Sequence, residues 1–140
     1  MNWKRIVAGA VAAGALIDVV EGGLSGGLFG AQFQSELGAR GLDLRVGPAG
    51  AVFFVAWGFV VGLVSVWLYA AVRPRLGPGP RTAVAVAIAV WLVSGVLPHL
   101  RDATLGFLSL NLSGKFILLQ LAWQIAATLL GAFIYRERSE

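Results

Sequence analysis

Long apolar runs, separated by short clusters of charge, proline and glycine, set the pattern of this chain. A helix crossing the hydrocarbon of a bilayer needs about 20 mostly apolar residues. Four runs reach that length, at about 6–30, 49–72, 82–100 and 116–135. The second is the cleanest, with Ser65 and Tyr69 as its polar side chains. The fourth is interrupted by Gln120, Gln124 and Thr128, and the third carries Ser94 and, near its end, Pro98. The first opens with an apolar run from Ile6 to Ile17, meets Asp18 and Glu21, and continues through a glycine-rich stretch to about Gly30. In lipid every backbone N–H and C=O must be bonded within its own segment, so each run is expected to be a helix. The alternating ten-residue segments of a β-barrel are missing. The pattern predicts an all-α polytopic membrane protein, a four-transmembrane-helix bundle forming a single membrane domain over 1–140.

The first run has a second reading. Lys4 and Arg5 followed by an alanine-rich stretch also fit a signal peptide, with small residues near Ala13 to Ala15 as a cutting point. Asp18 and Glu21 lie just beyond, and cleavage would leave three spans. Retention of the first span is the expectation adopted here.

The links have distinct characters. RPRLGPGPR, Arg73 to Arg81, carries Pro74 just after the second span and Pro78 and Pro80 around Gly79, which predicts a turn between antiparallel neighbours. The link from Ala31 to Pro48 places Phe33 and Leu37 on one helical face, with Leu42 and Leu44 further on. It reads equally well as a short interfacial helix or a plain loop. The link from Arg101 to Lys115 is apolar, with Leu105, Phe107, Leu108, Leu110 and Leu112, and is expected to rest on the bilayer or cover the mouth of the bundle.

Composition supports lipid as the solvent. Hydrophobic residues make up 58% of the chain and charged residues 13%, with a mean hydropathy of +0.81, against about 25% charge in soluble domains. There is no cysteine, which excludes disulfides, thiolate metal sites and covalent haem attachment. No cofactor is expected. The net charge of +4 comes from Lys and Arg in the links, where topology requires them, and no basic stripe with interleaved aromatics points to a nucleic-acid partner. The expected partners are the lipid bilayer and a second copy or another membrane protein. Lys4, Arg5, Arg73, Arg75, Arg81, Arg136 and Arg138 fall on one side, and Arg40, Arg45, Arg101 and Lys115 on the other. The positive-inside rule then puts the first group, with both termini, in the cytoplasm. Trp3, Trp67, Tyr69 and Tyr135 near the same ends suit an aromatic belt.

Small residues recur at helical spacing: Gly22, Gly26 and Gly30, then Gly58 and Gly62, then Ala127 and Gly131. Such stripes let helix backbones approach closely, within one chain or at a homodimer seam. Trp57, Trp91 and Trp123 lie inside their spans and are expected to be packing wedges.

The candidate ligand- or proton-binding residues are Asp18, Glu21, His99, Arg101, Gln120 and Gln124. Asp18 and Glu21, three apart, share a helix face with Gly14 and Ser25. An acidic residue at the centre of a span costs about 2.5–3.5 kcal/mol, to be offset by partners, water or protonation. At 1.5 Å per residue Asp18 and Glu21 lie roughly 18 and 22 Å above the start of the first span, level with Gln124 and Gln120 of the descending fourth span. The stripe Gln120, Gln124, Thr128 is therefore expected to face both acids, with His99 or Arg101 reaching Glu21 from above and Asp102 competing for Arg101. His99 and Asp102 alone are too few for a metal site. No nucleophile elbow, HExxH or P-loop points to catalysis.

The opening MNWKRIVAGAVAAG, the acid late in the first span and the stretch WLYAAVRPRLGPGPRTA resemble an uncharacterised family of small bacterial four-span membrane proteins. That resemblance covers most of the chain and implies an α-helical inner-membrane protein, without an activity to transfer. Asp18 departs from it, standing where a neutral polar residue is expected. Small multidrug transporters share four spans and an acid in the first, but the rest of their pattern is missing, so the likeness is one of architecture. The sequence thus leaves a non-enzymatic scaffold or accessory subunit as the leading expectation. The alternative is a small proton- or cation-coupled carrier using Glu21 and Asp18, and a membrane-embedded enzyme stands third.

Overall fold

A computed structural model describes residues 1–43 and 45–135, without the side chains of Leu24 and Ser25. Leu44, Arg136 and Arg138, which entered the sequence reading, lie outside the described residues, as does the side chain of Ser25. Among the described residues the chain is helical, with no strand. Four helices are long and apolar enough to cross a membrane: α1 (Trp3–Leu28), α3 (Pro48–Leu76), α4 (Pro80–Thr104) and α5 (Leu110–Ile134). A short helix, α2 (Gly30–Gly38), connects α1 to α3.

Local chemistry explains the ends. The Asn2 side chain accepts a hydrogen bond from the Arg5 amide and caps α1. Pro48 and Pro80 stand in the first turns of α3 and α4, where a missing N–H costs nothing. Ser109 caps α5 by accepting from the Leu112 amide at 3.1 Å. Two of the long helices widen by a π-type turn, Glu21–Ser25 in α1 and Leu92–Val96 in α4.

The spans form a ring in which α1 packs on α3 and α5, and α4 on α3 and α5, with α3 and α5 touching across the middle. Glycines set the closest approaches. A methyl group on Gly62 would lie 2.6 Å from the Gly14 amide nitrogen and 2.8 Å from the Ala10 carbonyl oxygen. One on Gly9 would lie 2.7 Å from the Gly131 carbonyl oxygen. Gly58, Gly62 and Gly131 thus pack within the chain, whereas Gly9 and Gly14, their partners, were not read as a packing stripe.

Gly22 and Gly26 behave differently. A Cβ on either would meet nothing within 4 Å, and Gly30 starts α2 instead of continuing the stripe. The expected helix-packing role of Gly22 and Gly26 therefore fails inside this chain. Their close neighbour in the sequence, Phe29, breaks α1 with φ −118° and ψ −1°, so the chain turns away before a long contact can form.

Three further boundaries shift. α3 runs through Pro74 to Leu76, and the turn is confined to Gly77, Pro78 and Gly79, with φ of +84° and +133° at its two glycines. Thr82 Oγ1 donates to the Gly77 carbonyl at 2.8 Å, and the Gly79 amide donates to Tyr69 Oη at 3.2 Å. α5 begins at Leu110 and takes in Lys115, which shortens the second outer link to a turn at Leu105–Ser109. The link after α1 does contain a helix, α2, whose Leu37 is buried with Leu108, Leu112 and Phe116, Phe29 and Phe33 packing alongside.

Candidate functional site

The polar residues of the spans divide into two groups that do not meet as the depth argument predicts. Gln124 is buried and donates to Ser65 Oγ of α3 at 3.0 Å and to Thr128 Oγ1 at 3.2 Å. Thr128 Oγ1 donates to the Gln124 carbonyl at 2.8 Å, and Ser65 Oγ to the Val61 carbonyl at 2.7 Å. This network joins α3 to α5, and its polar hydrogens end on protein acceptors. Gln120 is buried against Gly95 of α4, whose added Cβ would lie 2.7 Å from Gln120 Oε1. Its side chain lies beside the His99 ring. Neither glutamine bonds to Asp18 or Glu21 among the described residues. Asp18 instead lies against Gly58 of α3.

Asp18 rests on Gly58: a Cβ there would run into Asp18 Oδ1. One turn on, Asp18 and Glu21 open into a cavity of about 570 Å³, within the usual range for small-molecule sites of ~300–1,000 Å³. Gly22 and Gly26 complete the wall from α1, and Phe54, Val55 and Trp57 supply it from α3. α4 contributes His99 and Asp102, and α5 contributes Phe116 and Trp123. The π-type turn at Glu21–Ser25 is part of this geometry, since it turns the glycines after Glu21 along the cavity; such turns recur at functional sites.

Arg101, like Gln120 and Gln124, does not line the cavity. Its Nη2 lies 2.8 Å from Asp102 Oδ1, and the side chain is largely exposed. The competing partner named from the sequence holds it away from Glu21. His99 does line the cavity, with its ring stacked on Phe116 at 5.3 Å and 9°. Trp57 and Trp123, read as wedges, are cavity walls. Trp91 is a wedge whose indole N–H donates to the Ile117 carbonyl at 2.9 Å. A signal for the aromatic wall existed in the spacing of Phe54 and Trp57, three apart at the start of α3, but the sequence does not say which way that face turns.

The electrostatics are lopsided. Asp18, Glu21 and Asp102 are three of the seven acids of a chain with net charge +4, and among the described residues no Lys or Arg lines the cavity. Asp18 and Glu21 are close enough to repel one another and have no hydrogen-bond or ion-pair partner among the described residues. Asp18 Oδ2, His99 Nδ1 and the indole N–H of Trp123 are buried without a partner, although buried polar groups normally find one. No cluster of three or more His, Asp or Glu among the described residues is gathered as ligands for a metal ion. The acids are spread around a space larger than a bare ion.

A comparison with protein-family models, curated proteins and solved structures finds no match for this chain. The functional argument therefore rests on the cavity.

Glu36 lies outside the spans, in α2. It accepts from the Ser109 amide and hydroxyl, each at 2.7 Å, and from Gln32 at 3.2 Å. The Ser109 amide, then its hydroxyl, hold the Glu36 carboxyl below the ordinary glutamate range, with smaller help from Gln32 and Arg40 outweighing its partial burial. Lys115 Nζ donates to Gln32 Oε1 at 3.3 Å, so α2 is fastened to the head of α5 by a short polar chain.

Proposed function

We propose that the protein binds a cationic solute inside the membrane at Asp18 and Glu21, as a small proton- or cation-coupled carrier. The observation that carries this reading is that Asp18, with its Oδ2 buried, and Glu21 have no partner among the described residues and line a cavity with no described basic side chain on its wall. A purely structural role predicts the opposite, polar groups bonded to one another across helices, and that is what Ser65, Gln124 and Thr128 do. Acids that cost free energy in a span, and are not offset by a protein partner, are expected to have a ligand or proton as the offsetting interaction. The membrane we assign is the bacterial inner membrane, on the family resemblance alone, with both termini in the cytoplasm on the distribution of Lys and Arg between the links.

The scaffold or accessory-subunit reading keeps one observation of its own: Gly22 and Gly26 present a face with open space beside it, where a helix of a second copy or another membrane protein could sit. The two readings part on two variants. In proteoliposomes with an imposed pH gradient, the carrier reading expects Glu21→Gln to abolish cation-dependent proton flux while assembly in detergent is unchanged. The scaffold reading expects Gly26→Leu to break assembly and Glu21→Gln to have no effect. Wild-type vesicles that show no flux with a panel of cations, and no binding in equilibrium dialysis, would remove the carrier reading. Reporter fusions at residues 38, 77, 108 and 135 check the orientation; an external signal at 77 reverses it.

A further inference from the structure

The cavity is not closed towards the lipid. From the tight contact of Gly14 with Gly62, α1 and α3 pass the seat of Asp18 on Gly58 and then part, so that nothing stands within 4 Å of a Cβ on Gly22 or Gly26. On the other side of this gap Phe54, Val55 and Trp57 of α3 line the cavity while remaining 58%, 49% and 42% exposed. Residues exposed along a membrane-length helix face acyl chains, not water. The gap is therefore a wedge-shaped window in the side of the bundle, with the Asp18 carboxylate at its narrow end.

We propose that this window admits a membrane-dissolved amphiphile with an ammonium head, which seats its head at Asp18 and Glu21 and leaves its alkyl chain in the lipid between α1 and α3. The inference rests on the cation-site reading above and narrows it to one chemical class. Charge complementarity selects the head: Asp18 and Glu21 line the space with no ion-pair partner among the described residues, whereas Asp102 is paired with Arg101. The aromatic wall selects an ammonium over a small hydrated ion, because the faces of tryptophan and phenylalanine attract an alkylated cation that sheds water easily. Trp123, only 6% exposed, lines the same cavity with an indole N–H that meets no acceptor among the described residues, which leaves a donor for a head group bearing oxygen. The lateral opening selects the tail. A ligand confined to the aqueous side would gain nothing from Phe54 and Val55, whereas an alkyl chain lying along them stays in hydrocarbon.

The test uses the full-length protein in phosphatidylglycerol nanodiscs, with empty discs subtracted, titrated with dodecyltrimethylammonium, tetramethylammonium and dodecyl sulfate. Saturable binding of dodecyltrimethylammonium is expected, at least about tenfold tighter than that of tetramethylammonium because the tail adds apolar burial, with no saturable binding of dodecyl sulfate. Glu21→Gln should remove it. Trp57→Ala, at a half-exposed position whose loss leaves the packing intact, should weaken it by about three- to thirtyfold. Equal affinity for the two ammonium compounds would overturn the window while leaving the cation site standing. Failure of both to bind would overturn window and site together, and equal binding of the sulfate would reduce the signal to partition into lipid. Repeating the titration in phosphatidylethanolamine discs, with affinity expressed per amphiphile partitioned into matched empty discs so that the change of surface charge cancels, separates the sources of the head group: a weakened affinity identifies the lipid itself as occupant, an unchanged one a free amphiphile.

Discussion

Single atoms decide where the acids of α1 stand. Gly58 has no side chain, and the space it leaves is filled by the Asp18 carboxylate. Gly58→Ala is expected to expel that carboxylate and to lower cation binding together with stability. Gly62→Ala would place its methyl against backbone atoms of Ala10 and Gly14, which cannot yield without shifting a helix. It should destabilise the bundle by about 1–3 kcal/mol, read as a lower midpoint in denaturing detergent. Gly27→Ala, exposed with nothing near its Cβ, should stay within about 0.5 kcal/mol of the native protein in the same assay. Were all three variants equal, the close approach of α1 and α3 would be wrong. At this scale the sequence was informative about which residues are costly and silent about their neighbours. Asp18, Glu21 and His99 could be singled out because charge in a span is rare. Trp57 and Trp123 could not be assigned to a cavity wall, since an aromatic inside a span looks the same whether it fills a core or faces a void.

Between helices, direction around the axis matters as much as height. The rise per residue predicts Gln124 level with Asp18, but Asp18 rests on Gly58 of α3 and Gln124 bonds to Ser65. Sequence periodicity gives the angle between residues on one helix, never the angle to the next helix, and the π-type turn at Glu21–Ser25 adds a local offset that no spacing rule anticipates. The bond between Ser65 and Gln124 can be measured: a double-mutant cycle with Ser65→Ala and Gln124→Leu should give a coupling of about 0.5–1.5 kcal/mol, and zero coupling would mean the two side chains do not meet. The fastening of α2 to α5 should respond to acid. Because the folded Glu36 is held below its unfolded range, its contribution is present above the ordinary glutamate value of about 4.3 and is lost as pH falls through the lower folded value. Hydrogen exchange at the Ser109 amide should therefore accelerate, beyond its intrinsic pH dependence, below about pH 4. Glu36→Gln should show that faster exchange already at neutral pH.

For the whole molecule, hydropathy was sufficient to find four spans and the helical class, because lipid imposes one backbone solution. It was poor at their ends. Polar residues such as Arg73, Arg75, Arg101 and Lys115 continue helices past the apolar runs, since helix formation does not stop where hydrocarbon does. The scaffold and carrier readings predict different behaviour of the assembled protein. A carrier of the proposed kind should show Glu21 reactive to a hydrophobic carbodiimide, with protection by dodecyltrimethylammonium; modification unaffected by that cation would separate the acid from the ligand.

The link from Glu36 to Ser109 has a mechanical corollary. Residues 29–38 act as a crossbar, continuous with the end of α1 at one side and anchored to the start of α5 at the other. The first and last spans are thereby braced against each other at that rim. The outer part of α3, where Phe53, Phe54 and Val55 are exposed, has no such strut among the described residues, and any swing of it would be taken over the close contact at Gly62. The width of the side opening is then governed by the swing of a single helix.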